Sequence, residues 1–207
     1  TAEEMGFNRN FMFSDLIVYN SSYPIDDLSA EDLAWSAIGQ GRVLATPMHM
    51  ALIAATIANR GVMNEPRLVA QITTAQGGNR ALLSHAGGRR VLGEDVAARL
   101  EKEMIRVVKS GTGKRAALDN GYTVAGKTGT TNDEHDAWFV GFTPYLVTGV
   151  YVGYDQLQSL GRLEQGGRTA APIFRYYRSV VEELYEPKDF TMPEGIVMPG
   201  GFAYRAD

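Results

Sequence analysis

Hydrophobic and polar positions along the chain alternate between two periods. Thr46-Pro47 is a helix start, with a hydroxyl to cap the first turn and a proline where no N–H is needed. The helix it opens runs to Asn59 or Arg60, with Gly61 as its stop. Met48, Met50, Ala51, Leu52, Ile53, Ala54, Ala55, Ile57 and Ala58 surround it with apolar side chains, which predicts burial. His49, Thr56 and Arg60 form its one polar stripe, and His49 reads as a histidine satisfied at the core's edge. A second helix follows Gly93, with Glu94 and Asp95 in its first turn and Lys109 in its last. Val96, Leu100, Met104, Val107 and Val108 recur at three and four, predicting one buried stripe.

Beyond Gly111-Thr112-Gly113 the period shortens. The run Tyr122–Thr131, then Ala137–Phe142, then Leu146–Gly153 reads as three strands with short connections, hence an antiparallel meander. A last helix is expected with Thr169 as cap, Pro172 in its first turn, and Ile173, Tyr177, Val180 and Leu184 as the stripe lying on the sheet. Earlier in the chain, Ser29 with acids at 31 and 32 signals a capped helical turn. Leu16–Tyr19 is a candidate short strand, and Val69–Thr74 and Arg80–Leu83 flank a Gln76–Asn79 turn. Thr1–Asn8 reads as the last turn of a helix closed by glycine, so the chain is expected to be a fragment that begins in mid-fold.

Composition narrows the chemistry. Apolar content of 44% and charge of 21% suit a soluble globular chain of 207 residues, and a net charge of −4 leaves no basic footprint for nucleic acid. Cysteine is absent and the three histidines are far apart, so neither disulfides nor a metal site is expected, and no cofactor is implied. No apolar run is long enough to span a bilayer.

The chemistry concentrates in Val124-Ala125-Gly126-Lys127-Thr128-Gly129-Thr130. On an extended backbone Lys127 and Gly129 share one face, and Thr128 and Thr130 share the other. One ammonium, two hydroxyls and glycine-exposed backbone make an anion and peptide-backbone receptor. Gly121–Thr128 also matches the phosphate-binding pattern G-x-x-x-x-G-K-[ST]. That loop requires a buried strand before its first glycine and a helix opening at Lys-Thr. Neither is signalled here, so a nucleotide binder is the distant alternative.

Several collinear motifs resemble the penicillin-binding transpeptidases. They are Ala37-Ile38-Gly39-Gln40-Gly41, Thr46-Pro47-Met48-His49-Met50-Ala51, Ile57-Ala58-Asn59-Arg60-Gly61, Gly111-Thr112-Gly113, Gly126-Lys127-Thr128-Gly129-Thr130, Asp136–Gly141 and Ala170–Phe174. Residues 33 to 68 look like the class B enzymes, and Thr130 onward like class A. The resemblance implies an α+β fold in which the three-stranded meander, flanked by helices, is the C-terminal part of a β-lactamase/transpeptidase-like domain. Residues 1–190 would be that portion and 191–207 a tail.

What the resemblance implies for function is a serine-type D,D-transpeptidase of peptidoglycan synthesis, the target of β-lactams, at the extracytoplasmic face of a bacterial membrane. Lys127 would face the serine of a Ser-x-Asn motif. The hydroxyls of Thr128 and Thr130 would bind the terminal carboxylate of a D-Ala-D-Ala stem peptide or a β-lactam. The Thr130 backbone N–H would be half of an oxyanion hole, and Gly129 would let substrate pair along the strand. No serine in this chain has Lys three residues later or Asn two residues later. In the family those motifs precede this segment, so this chain alone is expected to be inactive and to need the upstream half of its domain. Any membrane attachment would lie outside it. A non-catalytic module that binds or senses β-lactam or peptide is the alternative.

Overall fold

The computed structural model describes residues 1–10, 18–66, 69, 71–82, 87–119, 121–191, 196–197 and 204–205. Its elements are α1 (Ala30–Ala37), α2 (Pro47–Ala58), β1 (Val62–Met63), β2 (Gln71–Thr73), β3 (Asn79–Leu82), β4 (Arg89–Arg90), α3 (Glu94–Lys109), β5 (Ala125–Thr130), β6 (Asp136–Phe142), β7 (Val147–Gly153), α4 (Ala170–Val181), β8 (Ile196–Val197) and β9 (Tyr204–Arg205). The meander forms as expected: β5, β6 and β7 lie side by side, antiparallel, with Gly129 opposite Trp138 and Trp138 opposite Tyr151. Among the described residues the outer edges of β5 and β7 have no strand partner. Of the Leu16–Tyr19 candidate, Leu16 and Ile17 lie outside the described residues and Val18 and Tyr19 are in no strand; most of the tail also lies outside. The two strands read around the Gln76–Asn79 turn form as the antiparallel β2–β3 hairpin, a little shorter at β2 than expected.

The two-residue period of the strands sends alternate side chains to opposite layers. On one face Ala125, Val140 and Phe142 pack under α2 through Ala54 and Ile57. On the other, Phe139 and Val124 pack against Val108 of α3, Ala116, and Ala170, Ala171 and Phe174 of α4. Phe139 meets Phe174 edge-on at 4.8 Å. Phe139, Phe142 and Phe174 are completely buried, and each such side chain contributes roughly 1.5–3 kcal/mol.

Helix starts follow the local chemistry. Ser29 and Asp32 form a reciprocal capping box on α1, and the Thr46 hydroxyl accepts from the His49 N–H at 3.2 Å. Thr169 does not cap α4; its hydroxyl bonds Glu164 Oε2 at 2.5 Å instead. The N-terminal turn closes as read, with Met5 N–H on the Thr1 carbonyl and Phe7 N–H on that of Ala2.

The helix faces differ from the periodicity in three places. In α4 the expected stripe is outside: Ile173, Tyr177, Val180 and Leu184 are 47%, 51%, 61% and 79% exposed. The helix seats instead on Ala170, Ala171, Phe174 and Arg178, with Glu182 just past its end. Arg178 and Glu182 are fully buried and paired, and the Arg178 guanidinium also donates to Thr143 Oγ1 at 2.7 Å and to the Leu146 carbonyl at 3.0 Å. In α3 the first half buries Ala97, Ala98 and Glu101, while Val96 and Leu100 face outward. In α2 two members of the polar stripe, His49 and Thr56, are buried together with Ala54 and Ile57, while Met50, Ala51, Leu52 and Ile53 are only half-covered. Small residues permit the closest backbone approach, and polar groups with local partners can follow them in.

Candidate functional site

The chemistry-bearing strand is an edge. Along an antiparallel strand the N–H and C=O of one residue point the same way, and those of the next residue point the other way. Thr131 donates its N–H to the Asp136 carbonyl at 3.2 Å, so odd positions here face β6. The carbonyls of Thr128 and Thr130 are reached from outside, by Lys127 Nζ at 2.7 Å and by the Gln40 side-chain amide at 3.0 Å. The N–H groups of Thr128 and Thr130 therefore point away from the sheet.

Lys127 is exposed, and Thr128, Gly129 and Thr130 are half-buried. The two hydroxyls lie on the face opposite Lys127. Thr128 Oγ1 shares a 2.7 Å hydrogen bond with Thr112 Oγ1, and Thr130 Oγ1 accepts the Gly166 N–H at 3.1 Å. With that N–H occupying a lone pair, the Thr130 hydroxyl keeps its proton for another acceptor. An outward row of N–H groups, two hydroxyls and an ammonium is a receptor for an extended chain ending in an anion.

The glycines serve first inside the molecule. A Cβ on Gly129 would stand 3.1 Å from the Trp138 Cβ, and one on Gly126 would enter the Phe139 ring. Gly166 packs so closely on the Gly129 and Trp138 carbonyls that it has no room for a side chain. Trp138 is half-buried against Tyr151, with ring centroids 4.7 Å apart, and Phe142 is core. Asp136 accepts the Tyr151 hydroxyl at 2.9 Å, and burial, helped by that carboxylate, pushes the phenol's pKa up.

The phosphate-loop reading is overturned. Lys127 and Thr128 lie within β5, no helix opens there, and a hairpin to β6 follows. Among the described residues no three His, Asp or Glu side chains are grouped to hold a metal ion. Gln40, Thr112 and Gly166 carried no role in the sequence reading. Their shared signal is local: each stands beside or between glycines, in Gly39-Gln40-Gly41, Gly111-Thr112-Gly113 and Gly166-Gly167.

Comparison with known proteins places residues 2–177 within the family described as the penicillin binding protein transpeptidase domain. The chain is 40% identical over 165 residues to penicillin-binding protein 1A of Aquifex aeolicus, covering 78% of this chain and 22% of that one. It is 37% identical over 175 residues to the Neisseria flavescens protein of the same name, covering 83% and 22%. A ceftriaxone acyl-enzyme complex of Mycobacterium tuberculosis penicillin-binding protein A superposes with a TM-score of 0.74 at 31% identity. It covers 89% of this chain and 42% of that one. The chain thus spans under a quarter of the length of the curated relatives it matches.

Proposed function

The chain belongs to the penicillin-binding protein transpeptidase family, and from that premise we propose that it supplies the acyl-donor edge of a serine D,D-transpeptidase that cross-links peptidoglycan. The observation that carries this reading is the outward edge of β5, with Thr128 and Thr130 presenting N–H groups and hydroxyls together. An extended stem peptide ending in D-Ala-D-Ala, or a β-lactam, lies along that edge with its carboxylate at the two hydroxyls. A serine from a Ser-x-x-Lys motif outside this chain attacks the penultimate carbonyl. The carbonyl oxygen becomes an oxyanion facing the Thr130 N–H, and the C–N bond breaks with a proton passing to the leaving amine. An acceptor amine then displaces the serine from the ester. Removing one oxyanion donor costs about 3 kcal/mol of transition-state stabilisation, so the direction of the Thr130 N–H matters. Lys127 adds a fixed positive charge at this edge. The substrate places the reaction on the extracytoplasmic side of the membrane. No helix among the described residues is long and apolar enough to cross a bilayer.

The test is labelling by a fluorescent penicillin of this chain joined to a segment carrying Ser-x-x-Lys and Ser-x-Asn. A label that survives denaturation is expected. Reversible binding alone would favour the non-catalytic binding module. No binding at all would remove both readings.

A further inference from the structure

We propose that Gln40 is a positioning residue for this reaction: its side-chain amide sets the direction of the Thr130 N–H at the outward edge of β5. The inference rests on reading β5 as the acyl-donor edge.

Thr130 is the last residue of β5, where a strand has least to hold it. Beyond it the chain enters a tight turn in which Asp133 and Glu134 take left-handed conformations, with φ of 60° and 52°. The outward Thr130 carbonyl has no ladder partner, and an unpaired carbonyl at a strand end is free to tilt toward solvent. The Gln40 amide, 3.0 Å away, fills that role across 90 residues of sequence. A carbonyl only accepts, so it is the amide nitrogen that faces it. In the extended strand the N–H and C=O of residue 130 point to the same side, so holding the carbonyl restrains, through the φ and ψ of residue 130, the side to which its N–H is turned.

Gln40 is itself held firmly. Its own N–H bonds the Trp35 carbonyl at 3.0 Å, and the Gly39 N–H bonds that of Ser36 at 3.0 Å, wrapping the end of α1. The glycines on either side have φ of +75° and +68°, a conformation that places the side chain between them beside the strand and that other residues resist. Ser36 anchors the helix below: it is 3% exposed and its hydroxyl accepts the Tyr23 O–H at 2.9 Å. From the other side the Gly166 N–H grips the Thr130 hydroxyl. Residue 130 is therefore clamped by backbone and by side chain, from two separate loops.

A positioning role predicts a split between binding and chemistry. On the chain joined to its Ser-x-x-Lys segment, the non-covalent dissociation constant and the acylation rate constant for a penicillin are measured separately. Gln40→Met keeps the volume and loses the donor. It is expected to slow acylation about ten- to a hundredfold, since small misplacements of a reacting geometry have effects of that order. Its dissociation constant should stay within about twofold. An arylboronic acid, whose tetrahedral adduct puts an oxygen where the oxyanion develops, should lose affinity in the same ratio as the acylation rate. Gln40→Lys, which again offers N–H donors to the carbonyl, should recover most of the loss. Acylation by Gln40→Met within about twofold of the parent overturns the proposal. So does a parallel loss of binding, rate and melting temperature, which marks general destabilisation. A parent protein that never acylates removes the transpeptidase reading itself; a parent that acylates alongside an unaffected Gln40→Met removes only this inference.

Discussion

Thr130 shows what a single residue can and cannot reveal in a sequence. Its hydroxyl, its place two residues after Thr128 and its strand setting are legible from spacing. The groups that hold it, Gln40 and Gly166, come from 90 residues upstream and 36 downstream, and nothing in the Lys-Thr-Gly-Thr run names them. His49 is a second case. Its polarity suggested the core's edge, yet the ring is wholly buried, with Nε2 2.8 Å from the Met5 carbonyl and Phe7 against it at 4.7 Å. Burial holds its pKa below the usual 6.5. The unfolded chain therefore takes up this proton at higher pH than the folded one, so stability is full above about pH 6.5 and declines on acidification. We expect melting temperature to fall from pH 7.5 to 5.5, and expect His49→Gln to show a shallower fall. An equal fall in both proteins would contradict this.

At the scale of elements, helix positions were legible and helix faces only in part, as in the second half of α3, where Met104 and Val108 reach the core as expected. Proline, hydroxyl caps and glycine stops act within a few residues, so α2 and α3 begin where the chain says they should. Which stripe is buried depends on what lies opposite. In α4 the larger apolar residues stay outside, while Ala170 and Ala171 bring the helix close and Phe174 fills the gap beside Phe139. The Arg178–Glu182 pair follows them into the core, where burial lowers the arginine's pKa to about 10 and leaves it charged at neutral pH. The two faces predict opposite outcomes in denaturant titration. Phe174→Ala should cost about 3–5 kcal/mol. Val180→Ser, on the exposed stripe, should change stability by no more than about 0.5 kcal/mol in the 207-residue chain. A large loss from Val180→Ser would mean that this stripe is covered after all.

At the scale of the molecule, the stripe of α4 and the outer edge of β7 stand open among the described residues, in addition to the β5 edge of the site. Exposed apolar area beside an unpaired strand favours association. We therefore expect the 207-residue chain to elute above its 22.6 kDa monomer mass in gel filtration. Elution as a monomer would count strongly against this. Local spacing decided much: where helices start, that three strands run antiparallel, and that Lys127, Thr128 and Thr130 divide between two faces. Those outcomes need only neighbouring residues, whose geometry is fixed by the repeat of the backbone itself. Folding alone decided that the outward N–H groups of β5 lie beside Gln40 and Gly166, and that alanines rather than the larger residues of α4 meet the sheet. Contacts of that kind depend on which distant surfaces pack together, and a one-dimensional pattern of polarity does not encode the partner.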